Sequence, residues 1–422
     1  MRKRDRAYRK IRRDKERKLQ KSVEEKQKYT VQSVFAYKNI IKSAVKSTKN
    51  VSWKASVQRY ELNALSKTFA DYRVLRTGAV PKCMSGREIT ITERGKSRTI
   101  TPIHIKDRVL QKTLCDNALV PVITKKLIYD NGASLEGKGV RFSRMRMLKH
   151  LKAAVREYGT DFYVLTYDIK SFFDSIPHRE CRKSLERYFD KDLANIAMEI
   201  IKNPLRAKAG KLKDREEKRK RLADLEIDRT CGICLGSQES QTMALIVPNR
   251  LDHFVKDRMR IKHYIRYMDD GIVLARTKEE LQDLLSKMKK IMAGLGMRFN
   301  EKKTRIVKAR RGFTFLKVKY HISETGKTIR RLTAKGIIRM RRKLKKFRAK
   351  VDEGKLTLDN VYDSIQSWLA HTRVAKSFRT VRNMLRLYRR LFNGYRLGKH
   401  REDRNALQAG QREKYRWSCD GI

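Results

Sequence analysis

Residues 262–275 read KHYIRYMDDGIVLA and set two adjacent acids, Asp269 and Asp270, between two apolar segments. The β-rich flanks predict two short strands joined by a tight turn. Neighbouring carboxylates repel each other unless something positive lies beside them. A solvated turn is the ordinary interpretation of an isolated acid pair, but apolar residues on both sides count against it. The stretch therefore predicts a hairpin whose acids serve a metal ion.

A third acid, Asp168, ends another short apolar run, DFYVLTYD at residues 161–168, which predicts a buried strand. If this strand lies beside the hairpin in one sheet, all three carboxylates converge at one edge. Hard oxygen ligands are what Mg²⁺ requires when its remaining ligands are water and substrate phosphates. We expect two Mg²⁺ ions here, with Mn²⁺ as a substitute, about 3.5–4 Å apart and suited to nucleotidyl transfer.

The composition points to a polyanionic partner. Lys and Arg total 104 against 46 Asp and Glu, so the formal net charge is +58. A folded chain with this much self-repulsion favours a partner such as nucleic acid, whose phosphate backbone supplies most of the affinity. A basic ribosome or nucleoid protein is the competing interpretation, and the ordered acidic residues count against it.

The sequence gives no sign of a membrane or secretory protein. No apolar run approaches the length of about 18 residues that a membrane span needs, and the basic N-terminus is not followed by the apolar stretch of a signal peptide. Six scattered cysteines favour a reducing compartment over a disulfide framework. Cys231 and Cys234 form one C-x-x-C without histidines at ligand spacing, so zinc is not expected. We expect a cytoplasmic protein with no membrane partner.

The remaining pattern predicts helices and short strands between two basic ends. Alternation around Arg94-Gly95-Lys96 predicts a β-hairpin with a basic turn over residues 87–105. Residues 208–228 are almost all charged and predict a surface insertion or protruding helix. Short strands are expected within 305–322, and helical spacing predicts helices within 31–75 and at 106–122, 241–260, 278–293 and 333–394. The charge-dense ends, 1–30 and 395–422, are predicted to be flexible.

Several of these motifs together resemble reverse transcriptases. YMDD between strands resembles the reverse-transcriptase hairpin, and DIKSFFDSI at 168–176 resembles the first catalytic strand of bacterial enzymes related to group II introns. The other family blocks follow in order: residues 98–100 and 106–111 resemble the fingers, GMRFNEKKT at 296–304 the block after the hairpin, GFTFL at 312–316 the primer grip and SWLAH at 367–371 the thumb. The resemblance covers roughly residues 60–390 and implies a protein encoded by a bacterium or phage.

The resemblance implies an α+β, right-hand polymerase fold with fingers, a palm built on an antiparallel sheet, and a helical thumb. The implied domains are a basic N-terminal arm at 1–30, fingers at 31–160, a palm at 161–330 that contains the charged insertion 208–228, a thumb at 331–395 and a basic tail at 396–422. The implied activity is RNA-directed DNA synthesis by two-metal nucleotidyl transfer. Its partners are template RNA, the RNA–DNA hybrid and deoxynucleoside triphosphates.

The resemblance also implies residue roles. Asp168, Asp269 and Asp270 are the implied metal ligands and catalytic residues. Arg98, with Lys96, would clamp the incoming triphosphate, because a guanidinium binds phosphate oxygens bidentately. Phe173 would reject ribonucleotides sterically, although Phe172 competes for that role and core packing is the alternative. Lys303 resembles a lysine that protonates pyrophosphate, with Lys302 adjacent. The remaining implied substrate-binding residues are Tyr267, Leu235, Gly236 and Gln241.

The subtype is indicated by LGSQESQ at residues 235–241. Most group II intron and retron enzymes carry Q-G-x-x-x-S-P here, whereas the L-G-x-x-x-S-Q form resembles diversity-generating retroelement enzymes. Those copy a template RNA with many errors opposite adenine, with a small basic accessory protein as partner. Gly236 would allow close backbone approach to the nucleotide or template. The alternatives are an antiphage-defence enzyme that copies a noncoding RNA and a non-catalytic, maturase-like RNA-binding scaffold, which loss of a carboxylate would favour.

Overall fold

The structure, a computed structural model, describes residues 24–85, 88–93 and 96–392, without the side chains of residues 93 and 96. The predicted basic arm up to residue 23, the Arg94-Gly95 turn and the tail from residue 393 lie outside the described residues. The chain divides into two compact units, Met1–Val307 and Lys308–Ile422. The division into arm, fingers, palm, thumb and tail stays a prediction. No helix within the described ranges is long and apolar enough to cross a membrane.

The first unit begins with helices and a small hairpin. The hairpin pairs β1 (Ile89–Glu93) with β2 (Lys96–Ile100) antiparallel, as the alternating pattern predicts. The helices before β3 are α1 (Val31–Val34), α2 (Tyr37–Thr48), α3 (Ala55–Glu61), α4 (Ala64–Arg76), α5 (Ile105–Leu114), which continues as a π-helical turn at Cys115–Leu119, α6 (Val120–Ile123) and α7 (Val140–Tyr158).

A four-stranded sheet lies at the centre of the first unit. Its strands are β3 (Tyr163–Asp168), β4 (Tyr264–Tyr267), β5 (Asp270–Ala275) and β6 (Arg305–Lys308), in the order β4-β5-β3-β6. Strand β5 pairs antiparallel with both β3 and β4. All the residues of β3 and β5 except Tyr163, Thr166 and Asp270 are buried, so burial in these central strands does not alternate from one residue to the next.

Further helices follow β3 on the way to the hairpin and beyond it. They are α8 (Phe172–Ser175), α9 (His178–Tyr188), α10 (Lys191–Ala209), α11 (Arg215–Glu226), α12 (Gln238–Ile246), α13 (Asn249–His253), which continues as a π-helical turn at Phe254–Arg258, and α14 (Lys278–Gly294). The prediction of one helix over 241–260 is wrong. Pro248 follows α12 and lacks the N–H that a continuing helix needs.

The charged insertion at 208–228 contains a helix, and a helix was one of the two forms that its sequence predicts. Asp214 caps α11 by accepting hydrogen bonds from the backbone N–H groups of Glu216 and Glu217. At the other end of the insertion, Asp228 accepts a hydrogen bond from the buried Lys202 ammonium at 3.1 Å and is ion-paired with Arg182. These contacts tie the segment to helices α9 and α10.

The second unit combines a small sheet with three helices. Strands β7 (Phe313–Phe315), β8 (Val318–Ile322) and β9 (Thr328–Leu332) form an antiparallel sheet, followed by α15 (Ala334–Asp352), α16 (Leu358–Thr372) and α17 (Phe378–Leu391). The sequence does not predict β9, because Arg330 and Arg331 interrupt its apolar pattern. The helices share a buried core of Met340, Leu344, Val361, Ile365, Met384, Tyr388 and Phe392.

Candidate active site

Three carboxylates meet at one edge of the central sheet. Strand pairing sets Asp168 opposite Asp270, and Tyr267 pairs with Asp270 across the hairpin. One oxygen from each of Asp168, Asp269 and Asp270 lies within 4.8 Å of the others. Strand β3 continues into the same arrangement, because the N–H of Ile169 donates to the carbonyl of Asp269 at 3.1 Å. The predicted convergence of these acids is therefore present.

The hairpin turn itself holds a strained residue. Met268 and Asp269 are the two residues between the paired Tyr267 and Asp270. Met268 has a φ of 53°, in the left-handed region that glycine normally fills at the first position of such a two-residue turn. A non-glycine residue there costs about 1–3 kcal/mol and persists only when its surroundings impose it.

A buried arginine makes part of the contacts that impose this conformation on Met268. Arg266 donates one hydrogen bond to the carbonyl of Met268 at 3.2 Å and another to the carbonyl of Leu245 at 2.8 Å. Its guanidinium is also bound by the carboxylate of Asp252, at 2.7 to 2.9 Å. The hydroxyl of Tyr264 donates to the same carboxylate at 2.7 Å. Because these groups are fully buried, each polar atom requires a partner. Together their hydrogen bonds hold the turn in its conformation.

Close packing on the other side of the hairpin explains its glycine. A Cβ at Gly271 would lie 2.1 to 2.4 Å from ring atoms of Tyr167. The Tyr167 hydroxyl in turn lies 2.6 Å from that of Tyr264. The ring of Tyr167 thus occupies the space of a side chain at position 271, immediately after the acid pair.

The electrostatics of the cluster favour a cation. Burial raises the pKa of Asp270 to about 7, with further increases from the charges of Asp269 and Asp168. Burial likewise raises the pKa of Asp269, which the charges of Lys303 and Arg98 partly offset. A carboxylate that resists ionisation alone becomes a good ligand once a metal ion neutralises its charge.

Lys303 is the cation in contact with the cluster. Its ammonium donates to the Asp168 carboxylate at 2.5 Å. Burial lowers the pKa of Lys303, but the hydrogen bond and charge of Asp168 outweigh that effect, so the pKa is raised. A short loop sets this placement: the N–H of Lys303 donates to the carbonyl of Asn300, whose own N–H donates to the carbonyl of Asp168 at 2.7 Å. Within the described residues, the adjacent Lys302 is exposed and makes no such contact with the cluster.

The donor set fits divalent metal ions. Among the described residues, the three acids form the only group of three or more His, Cys, Asp or Glu side chains close enough to share an ion. They offer hard oxygen atoms, as Mg²⁺ and Mn²⁺ require. Asp168, Asp269 and Asp270 are the residues that would hold the ions. Cys231 is exposed and Cys234 buried, and neither joins a metal-binding group within the described ranges.

The two adjacent phenylalanines have different surroundings. Phe172 is buried, with 6% of its surface exposed, whereas Phe173 is partly exposed. Their rings meet edge to face with centroids 5.6 Å apart. Of the two, Phe173 is the more accessible to a ligand. The role of Phe173 in sugar selection stays a prediction.

The L-G-x-x-x-S-Q segment lies beside Phe173. The N–H of Ile233 donates to the carbonyl of Phe173 at 3.0 Å, and the N–H of Gly232 to that of Ile176 at 2.9 Å. The chain then reaches Leu235, which is half-buried, and Gly236, which is exposed and has a φ of 117° that only glycine adopts readily. Gln241 is half-buried on α12. The residues that pair with the Phe173 loop, Gly232 and Ile233, therefore lie just before the segment.

The remaining predicted substrate-binding residues lie on the two hairpins. Arg98 is exposed on β2, and its charge lowers the pKa of Asp269, which sets it in electrostatic reach of the cluster. Lys96 begins β2, and its side chain is outside the described part of the chain. Tyr267 is half-buried at the end of β4; burial raises its pKa, and the charge of Arg144 works in the opposite direction.

Arg266 and Asp252 are absent from the residues predicted for the site. A signal was present in the sequence, because an arginine inside an apolar strand is costly unless an acid pairs with it. Its partner lies 14 residues upstream on α13, a separation that no local pattern specifies.

The sequence matches a known protein family. A protein-family model described as "Reverse transcriptase (RNA-dependent DNA polymerase)" matches residues 81–320, which is more than half of the chain and includes all three carboxylates. No curated protein sequence matches the chain.

Two solved telomerase structures resemble the fold at low identity. Apo telomerase from Candida tropicalis, truncated from its C-terminal domain, is 12% identical with a TM-score of 0.42, over 58% of this chain and 55% of that chain. Telomerase from Candida albicans, in complex with a TWJ fragment of telomeric RNA, is 14% identical with a TM-score of 0.41, over 82% of this chain and 62% of that chain. The chain thus spans little more than half the length of these telomerases.

Proposed function

The chain belongs to the reverse transcriptase family, and from this premise we propose that it synthesises DNA on an RNA template. The α+β, right-hand polymerase fold predicted from the sequence is that of the family. The observation that carries the proposal is the convergence of Asp168, Asp269 and Asp270 within 4.8 Å. A non-catalytic scaffold would have no need to keep three mutually repelling acids at one sheet edge.

The proposed mechanism divides the work between metal ions and side chains. Two Mg²⁺ ions, or Mn²⁺ in their place, would activate the primer 3′-hydroxyl and stabilise the leaving pyrophosphate. The three carboxylates would hold the ions, and the Arg266 contact to the turn keeps Asp269 in position. Arg98 binds the triphosphate, and Lys303 holds a proton within reach of the cluster for the leaving group.

The proposed product is DNA because of the position of Phe173. A bulky ring beside the sugar of the incoming nucleotide leaves no room for a 2′-hydroxyl, so the deoxy form is favoured. The partial exposure of Phe173 at the surface of the core supports this role, in contrast to buried Phe172. The charge of +58 supports binding of the RNA template and of the RNA–DNA hybrid through their phosphates.

We propose the diversity-generating retroelement subtype on the L-G-x-x-x-S-Q segment. Leu235 replaces a hydrogen-bonding glutamine with an apolar side chain, which loosens restraint on the base pair and permits errors. The backbone pairing of the residues just before this segment with the Phe173 loop supports an effect on nucleotide selection. A structured RNA template and a small basic accessory protein, in the cytoplasm of a bacterium, belong to the same proposal.

An antiphage-defence enzyme that copies a noncoding RNA is the second candidate. The observation that favours it is the charged helix α11 (Arg215–Glu226), an insertion that makes the chain larger than compact retroelement enzymes. Sequencing the DNA made in cells separates the two, since adenine-biased errors next to a variable-protein gene support the retroelement. A repeat product templated by a noncoding RNA supports defence.

The experiment that tests polymerase activity is replacement of the acid pair. Asp269→Ala with Asp270→Ala should abolish nucleotide incorporation while RNA binding survives, because binding is spread over many Lys and Arg residues. The matched control is Glu216→Ala with Glu217→Ala, which removes two adjacent exposed acids from α11. Synthesis retained by the first variant would contradict the metal assignment, and synthesis lost by the control would assign the effect to charge alone.

A further inference from the structure

An exposed aromatic ring surrounded by cations lies on the segment before helix α7. Tyr129 is 65% exposed. The Lys138 ammonium lies 5.1 Å from the centre of its ring and the Arg146 guanidinium 4.9 Å from it. Phe142 meets the same ring edge to face at 5.6 Å. We call Tyr129, Lys138, Phe142 and Arg146 the aromatic platform.

The platform is firmly held although its central ring is exposed. Arg146 is ion-paired with the buried carboxylate of Asp130, which also lies 3.0 Å from His150. Lys138 donates to the backbone carbonyls of Tyr129 at 2.7 Å and Asn131 at 3.1 Å. These two hydrogen bonds use two of the three N–H groups of the Lys138 ammonium and leave the third for a further acceptor. An exposed aromatic ring with cations fixed beside it offers a ligand both a stacking face and positive charge.

Backbone pairing joins the platform to the catalytic hairpin. The N–H of Arg266 donates to the carbonyl of Asp130 at 3.2 Å, and the N–H of Gly132 donates to the carbonyl of Arg266 at 3.3 Å. This pairing extends the outer edge of β4, the edge strand of the central sheet. Tyr129 directly precedes Asp130, whose carbonyl binds Arg266, and Arg266 directly precedes Tyr267 of the YMDD turn.

A ring with flanking cations matches the chemistry of an unpaired nucleotide. Single-stranded nucleic acids bind proteins by stacking bases on aromatic side chains while cations contact the phosphates. Bases within the RNA–DNA hybrid are already stacked between their neighbours, so they offer no free face. The template ahead of the primer does offer free bases, and it must pass close to the catalytic hairpin. The observations thus favour the unpaired template strand over the hybrid.

We propose that Tyr129 is a stacking surface for an unpaired base of the template RNA, with Lys138 on the adjacent phosphate. This inference rests on the proposed function, since a templated polymerase holds an unpaired template strand ahead of its primer. The platform serves to keep the next template bases ordered before they are copied, and it reads base stacking rather than sequence.

The test measures binding of the full-length protein to two RNA–DNA hybrids by fluorescence anisotropy, without nucleotide or divalent metal. One hybrid is blunt and the other carries about five unpaired RNA nucleotides at the template 5′ end, within the usual site size for single strands. Tyr129→Ala should weaken binding of the overhang hybrid about ten-fold, and leave the blunt hybrid unchanged. Tyr129→Phe, which keeps the ring, should bind both hybrids as the unaltered protein does.

Matched variants separate stacking from folding and from general charge effects. Tyr129→Leu keeps apolar bulk without an aromatic face and should show the same loss as Tyr129→Ala. Trp53→Ala removes another ring that is 74% exposed and lies 5.2 Å from a lysine ammonium, that of Lys54, and should change neither affinity. Normal overhang binding by Tyr129→Ala, or an equal loss on both hybrids, would overturn the proposal.

The outcomes also distinguish this inference from the proposed function. A protein that binds the overhang through Tyr129 but incorporates no nucleotide contradicts polymerase activity and keeps the single-strand site. A protein that incorporates nucleotides while Tyr129→Ala binds the overhang normally contradicts the site alone.

Discussion

The Arg266 guanidinium and the Asp252 carboxylate form an ion pair in which neither side chain is exposed to solvent, with Nη2 and Oδ2 2.7 Å apart. The pair connects helix α13 to strand β4, and Arg266 extends it to the carbonyl of Met268 in the catalytic turn. Burial of two charges is costly, so such a pair rarely adds stability over apolar packing. Its effect here is positional, because it holds the backbone next to Asp269.

Loss of one partner of this pair should be severe. Asp252→Asn leaves the Arg266 charge buried without compensation, so the free energy of unfolding should fall by about 3–5 kcal/mol. The variant should also incorporate nucleotides more slowly than the unaltered protein, even at temperatures well below its unfolding temperature, because the turn loses the Arg266 contact. Asp352→Asn is the control in a half-exposed pair with Arg348, and should cost less than about 1 kcal/mol. Urea unfolding measures both; similar losses would refute the positional role.

The acid cluster predicts a pH-dependent effect of metal ions. The pKa of Asp270, about 7, is above that of an unfolded chain, near 4. Without metal, the folded state binds the Asp270 proton more tightly than the unfolded state does. The contribution of this proton to the free energy of unfolding is therefore complete below about pH 4 and is lost as the pH rises through about 7. Mg²⁺ should therefore raise the unfolding temperature more at about pH 8 than at about pH 6, where the proton competes with the ion.

Asp270→Asn supplies the comparison for that measurement. Without metal, the variant should unfold at a higher temperature than the unaltered protein at about pH 8, because a buried charge is removed. Most of the Mg²⁺-dependent shift should disappear in the same variant. A metal-induced shift of equal size in both proteins would show that the ions bind elsewhere.

Sugar selection separates the two adjacent phenylalanines. Phe173→Ala should raise the efficiency of ribonucleotide incorporation relative to deoxyribonucleotide by about ten-fold or more, since removing bulk opens space for the 2′-hydroxyl. Phe172→Ala should instead lower the free energy of unfolding by about 3–5 kcal/mol without changing that ratio, because the ring is buried. The ratio of kcat/KM values for the two sugars provides the measurement. Unchanged discrimination in Phe173→Ala would assign the ring to core packing.

The neighbouring lysines after the hairpin provide a second matched comparison. Lys303→Ala should lower kcat about 10²-fold with little change in KM, because its ammonium contacts Asp168 and serves the leaving group. Lys302→Ala removes an exposed lysine one position away and should leave both constants nearly unchanged. Single-turnover kinetics over a pH series checks the role. Equal effects of the two substitutions would reduce Lys303 to one basic residue among many.

The acid cluster could be predicted from the sequence because its determinants are local. Each acid ends or interrupts an apolar run, and short apolar runs form central strands whose ends meet at a sheet edge. The α+β fold class is confirmed on the same ground. The roles of Arg98, Phe173 and the L-G-x-x-x-S-Q segment stay predictions, since the charge of Arg98, the exposure of Phe173 and the contacts before the segment describe position and not chemistry.

The parts that could not be predicted depend on tertiary contacts. Which of Lys302 and Lys303 reaches Asp168 is set by the loop at Asn300, whose N–H binds the Asp168 carbonyl. Strand β9 was hidden by Arg330 and Arg331, because pairing with β8 overrides the weak strand preference of a charged sequence. The platform at Tyr129 lies in a segment without periodicity, where only the folded neighbours Lys138, Phe142 and Arg146 reveal a site.

The ring of Tyr167, which fills the space of a side chain at Gly271, has a consequence for engineering the enzyme. A library that varies the catalytic hairpin can include many residue types at Met268, because Met268 already has a strained backbone and another residue there would have a similar one. Position 271 is closed to every residue larger than glycine until Tyr167 is shortened, and shortening it also removes a neighbour of the Tyr264 hydroxyl. Productive variants at 271 should therefore arise only as double substitutions, a form of epistasis that single-site scans would record as an immutable glycine.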